Sequence, residues 1–87
     1  MASVGQLMGE VTAIKASAEE MSQTASAASE EMNKSVQAIT ALAGDSESGR
    51  QAAAAVANAS HALADAAASV TTLGRICGDY ATYLATM

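Results

Sequence analysis

Four of the nine acidic side chains in this chain form two adjacent pairs, Glu19-Glu20 and Glu30-Glu31. Each pair is followed by a methionine, and the phrase Ser17-Ala18-Glu19-Glu20-Met21 returns as Ala28-Ser29-Glu30-Glu31-Met32, 11 positions later. No catalytic constellation accompanies these carboxylates anywhere in the sequence, so what they do depends on where a helix places them. On a helix, neighbours diverge by about 100°, whereas an 11-residue step is almost three full turns with about 20° of drift. Glu20 and Glu31 therefore share a face without meeting. Ser17, Ser22, Ser26, Ala27 and Ser29 surround the pairs with short side chains, which leaves the carboxylates open to solvent. A solvated acidic face and a surface that another protein must reach both fit this pattern.

The remaining chemistry-bearing residues stand alone. His61 has only Asp65 at helical spacing, and nothing in the chain completes a metal site. A solvent-facing helical histidine is the simpler reading. Cys77 is the single cysteine, so an internal disulfide is excluded and a reducing compartment is suggested, with an intermolecular bridge left open. Its place among apolar residues suits a small buried hydrophobe. Serines are abundant, but no partner spacing points to an activated nucleophile, and no strand precedes a glycine-rich phosphate loop. No catalytic residue, cofactor or metal is expected, and the chain reads as a non-enzyme.

The elements that position these residues follow from composition. Half of the 87 residues are hydrophobic, yet most of these are alanine, and Trp, Phe and Pro are absent. Such a chain favours long helices over a compact globule, which would need bulkier anchors. Apolar or small residues recur at unbroken alternating spacings of three and four. The first run is Val4, Leu7, Val11, Ile14, Ala18, Met21, Ala25, Ala28, Met32, Ser35, Ile39 and Leu42. The second is Val56, Ala59, Leu63, Ala66, Val70, Leu73, Cys77, Tyr80, Leu84 and Met87. Sustained 3,4 spacing is the mark of a coiled-coil seam.

Between the runs lies Gly44-Asp45-Ser46-Glu47-Ser48-Gly49-Arg50. Ser3 with Gln6 and Ser48 with Gln51 fit capping boxes, and Gly44 fits a left-handed helix end. Asp45, Ser46 and Glu47 supply acceptors and negative charge before a helix N-terminus. The expected architecture is all-α: one domain over 1–87, with helices at about 3–43 and 48–85 joined by a turn at 44–48. Antiparallel return about Glu47 pairs residues whose numbers sum to about 93. Gly74 and Gly78, four apart, either admit close helix contact or merely tolerate a fraying end. Ile14, Met21, Ala28, Met32, Ile39, Leu63, Ala66, Val70, Leu73 and Tyr80 are the expected seam, within the hairpin or between copies. A dimeric four-helix bundle would complete the burial.

The net charge of −5, with Lys15, Lys34, Arg50 and Arg75 scattered, makes nucleic acid and anionic membrane poor partners. No apolar run approaches a membrane span, and no signal peptide of the usual kind is expected. A cytoplasmic location follows, or secretion without a cleavable signal.

Residues 17–39, Ser-Ala-Glu-Glu-Met through Ser-Val-Gln-Ala-Ile, resemble the adaptation segment of methyl-accepting chemotaxis proteins. That family carries Glu-Glu or Gln-Glu pairs among Ala, Ser and Thr on a long cytoplasmic coiled coil, and the second member is typically methylated. The resemblance implies that Glu20 and Glu31 are modified reversibly, with Glu19 and Glu30 as their paired carboxylates. It implies receptor-modifying enzymes as partners, beside a second copy of the chain, and a role in signal transduction. The family's kinase-contacting tip motif is absent, so the chain looks like an adaptation-region fragment or a minimal relative. In layout the chain is also similar to the WXG100 (ESAT-6-like) secreted helical hairpins. Leu42-Ala43-Gly44 stands at their turn and Tyr80 at their late tyrosine, without the defining tryptophan. That alternative implies a small secreted hairpin that binds a partner. A structural, self-assembling hairpin is a third reading.

Overall fold

The structure is a computed structural model, and it describes residues 3–87. Two helices account for nearly all of them: α1, Val4–Ala43, and α2, Glu47–Ala85. They pair antiparallel as one extended hairpin of 62 × 18 × 14 Å. The absence of proline and the run of alanines let each helix continue for about eleven turns without a break.

The ends of α1 follow local chemistry. Ser3 Oγ accepts the backbone N–H of Gln6 at 3.1 Å, while Gln6 Oε1 accepts the N–H of Ser3 at 3.0 Å. This is the expected capping box, and it satisfies two N–H groups that no helical carbonyl can reach.

The turn is tighter than expected. Only Gly44, Asp45 and Ser46 separate the helices. Gly44 is right-handed (φ −65°, ψ −17°), not left-handed, and its N–H continues the helical ladder to the Thr40 carbonyl at 3.0 Å. Ser46, not Ser48, caps α2: its hydroxyl accepts the Gly49 N–H at 2.9 Å. Ser48 already lies inside the helix, and Gln51 turns to Glu47 instead. The reason is Gly49, which is buried against Ala43. A side chain there would collide with the Ala43 carbonyl, so glycine is what allows α2 to start directly beneath the end of α1. Arg50 Nη1 closes the turn by donating to the carbonyls of Gly44 (3.3 Å) and Asp45 (3.2 Å).

The antiparallel register lies at or slightly below the expected sum of 93: Ser29–Ser60 and Ser22–Ala67 sum to 89, Ala18–Gly74 to 92, and three further pairs to 93. Lys15 lies against Gly78, Ser22 Oγ is 2.6 Å from Thr71 Oγ1, and Ser60 Oγ is 2.8 Å from Asn33 Oδ1.

The seam is half of the expected one. One column is as read from the sequence: Val11, Ala18, Ala25, Met32 and Ile39 on α1, with Val56, Leu63, Val70, Cys77 and Leu84 on α2, are all buried or half-buried. The second column is displaced by one residue on both helices. Ile14, Met21, Ala66, Leu73 and Tyr80 are exposed within this chain and Ala28 is half-buried. Their places are taken by Lys15, Ser22, Ser29, Val36 and Ala43 on α1, and by Ala53, Ser60, Ala67, Gly74 and Ala81 on α2. Serine, alanine and glycine let the backbones approach closely, while Ile, Met, Leu and Tyr would force them apart. At Gly74 a Cβ would lie 3.7 Å from the Cβ of Ala18, so of the two sequence readings close contact is the one realised.

Candidate functional site

The seam fixes where the glutamates point. With Ala18, Ser22, Ala25 and Ser29 turned toward α2, a helical wheel places Glu19 and Glu30 on one flank of α1 and Glu20 and Glu31 on its outer face. All four are exposed. Each pair is thus split between two faces. No two of these carboxylates converge, and no group of three His, Cys, Asp or Glu side chains capable of holding a metal exists among the described residues.

Glu19 lies 3.2 Å from Lys15 Nζ, one turn earlier. Glu31 lies 3.4 Å from Lys34 Nζ, with both side chains about three-quarters exposed. Such surface pairs contribute roughly 0.2–0.5 kcal/mol. Glu20 and Glu30 have no ion-pair partner among the described residues. Glu20 borders a shallow apolar groove with Met21, Ala25, Ala28 and Leu63. Glu30 borders a polar groove on the opposite side of the seam, with Ser26, Ser29 and Ala67. Both carboxylates are exposed to solvent.

The isolated residues stay isolated. His61 and Asp65 are exposed on α2, and Cys77 is a free, half-buried thiol in the seam. Tyr80 and Tyr83 stack at the open end, with centroids 6.2 Å apart and ring planes at 14°.

A polar cluster inside the seam escapes sequence reading. Ser29 Oγ donates to the Ser60 carbonyl at 3.0 Å, and Ser60 Oγ reaches the Ser29 carbonyl at 3.1 Å. One heptad along, Ser22 Oγ reaches the Ala67 carbonyl at 3.2 Å. No buried side-chain polar atom among the described residues lacks a partner. The signal available beforehand was the heptad spacing of Ser22 and Ser29 beside the apolar column.

No protein-family model matches this chain, and neither a curated protein nor a solved structure does so. No helix among the described residues is long and apolar enough to cross a membrane.

Proposed function

We propose that this chain is a non-enzymatic signalling coiled coil, similar to the adaptation region of chemotaxis receptors, whose Glu20 and Glu31 carboxylates are reversibly methylated in the cytoplasm. The observation that carries this reading is the placement of both residues on the outer face of α1, exposed to solvent. A purely structural helix has no need of that openness. Esterification removes one negative charge per site. On a chain at −5, neutralising Glu20 eases repulsion along α1 by tenths of a kcal/mol, while Glu31 also gives up its pair with Lys34. Small increments on a long rod whose seam rests on alanine and serine suit graded tuning.

The experiment incubates the folded chain with a chemoreceptor methyltransferase and its methyl donor, then maps the label by mass spectrometry. The reading expects methyl esters at Glu20 and Glu31 and none in Glu20→Gln/Glu31→Gln. No label, or label confined to other carboxylates, overturns it.

A further inference from the structure

We propose that Lys15, laid across Gly78 of α2, is the positioning residue that holds Glu19 aside and leaves Glu20 as the member of the first pair open to esterification. The inference rests on the methylation reading above and adds to it a physical cause for selection between two adjacent carboxylates.

Two glycines of α2 set the geometry. A Cβ at Gly78 would stand 3.1 Å from Lys15 Cε and 3.5 Å from its Cδ, so the lysine stem fills the space that a side chain there would take. A Cβ at Gly74, one turn earlier, would stand 4.0 Å from Glu19 Cγ. Both stems thus lie alongside α2, and Lys15 Nζ ends 3.2 Å from Glu19 Oε1. The side chains of this pair are 43 % and 60 % exposed, against 73 % and 75 % for Lys34 and Glu31. Between Gly49 and Gly74 α2 has no glycine, so the second glutamate pair has no such shelf and serves as the internal comparison.

The two members of the first pair also border different grooves. Glu19 shares its groove with Lys15 and Arg75, two of the chain's four cations. Glu20 shares its groove with Met21, Ala25 and Leu63, and no cation borders it. Esterifying Glu19 therefore removes a charge that cations face, while esterifying Glu20 removes one that none faces. A carboxylate oxygen held by an ammonium must also give up that contact before a methyl donor or an activating reagent reaches it.

The test labels the whole chain with a water-soluble carbodiimide and excess glycinamide, which needs no enzyme, and maps the products by tandem mass spectrometry. The carbodiimide leaves as a urea carrying one carboxylate oxygen, and the amine nitrogen forms the amide as it loses a proton. Glycinamide should label Glu20 about three- to fivefold more than Glu19, the ratio that a partly shielded ion pair supports, while some Glu19 is joined to Lys15 Nζ instead. Lys15→Met should bring the two within about twofold of each other. Lys15→Arg, which holds the carboxylate but forms no amide, should keep the preference. Gly78→Ala, which displaces the lysine stem and leaves every charge in place, should lower it. At about 500 mM salt the preference should shrink, as a purely steric mask would not. Glu30 and Glu31 should label within about twofold of each other in every variant. Equal labelling of Glu19 and Glu20 in the wild type, or an unchanged preference in Lys15→Met, overturns the proposal. A methyltransferase that labels neither residue overturns the methylation reading alone, because the chemical ratio is measured without it.

Discussion

Ser29 and Ser60 grip each other across the middle of the hairpin. Their hydroxyls lie 3.1 Å apart, each reaches the other's backbone carbonyl, and Ser60 is only 3 % exposed. A hydroxyl held this way satisfies itself and pins two backbones at once. Ser60→Ala removes its contacts to Ser29 and Asn33 and should cost about 1–2 kcal/mol. Ser29→Ala should cost less, and the double variant less than the sum, because the two share one network. Thermal melts of the four proteins measure the coupling. Strict additivity would separate the two serines energetically.

The two glycines Gly49 and Gly9 should respond in opposite senses to the same substitution. A Cβ at Gly49 meets the Ala43 backbone, while one at Gly9 meets nothing within 4 Å. Gly49→Ala should therefore destabilise by about 1–3 kcal/mol, as overpacking does. Gly9→Ala should stabilise by about 0.5–1 kcal/mol through helix propensity. Chemical denaturation of both decides this, and a gain at Gly49 would mean that the turn is looser than described.

Alanines separate by column. Ala18 and Ala67 lie at the closest approach of the helices, whereas Ala66 faces outward. Ala18→Leu and Ala67→Leu should each lose about 1–3 kcal/mol, and Ala66→Leu should lose none. Equal losses at Ala66 and Ala67 would restore the seam expected from apolar spacing alone.

Charge removal should differ between the two outer glutamates. Glu31 gives up its pair with Lys34 on neutralisation, while Glu20 has no cation to lose. Glu20→Gln should raise the melting temperature, more at about 10 mM salt than at 500 mM, where screening is strong. Glu31→Gln should be close to neutral, its lost pair offsetting the relieved repulsion. A salt-independent gain at Glu20 would remove the electrostatic cause.

The hairpin was legible because its signals are local and redundant: the Ser3–Gln6 box, the unbroken 3,4 spacing and the glycine-flanked reversal all agree. The register was legible to within a few residues, although the turn centres on Asp45 and not on Glu47. The exact seam was not. Apolar spacing ranks Met21 above Ser22 and Leu73 above Gly74, because it scores transfer from water and ignores how closely two backbones can approach. The closest approach is what Ser29, Ser60 and Gly74 make available, and it turns the bulky column outward. The α2 cap was misplaced for a related reason. Ser46 and Ser48 are equally good caps in isolation, and only the fit of Gly49 under Ala43 chooses between them. The glutamate pairs stood out as a repeat, but their division between two faces depends on which column is inside.

The central claim, a close antiparallel seam built on the small residues, is tested most directly by a disulfide between Ala18→Cys and Gly74→Cys with Cys77→Ala as background. The 3.7 Å separation of the two Cβ positions falls within the roughly 3.5–4.5 Å that a disulfide spans. Mild oxidation should close the bridge within one chain, at a yield independent of dilution, and raise the melting temperature. In a single continuous helix these positions would stand about 80 Å apart. Crosslinks that form only between chains and vanish on dilution would contradict the account.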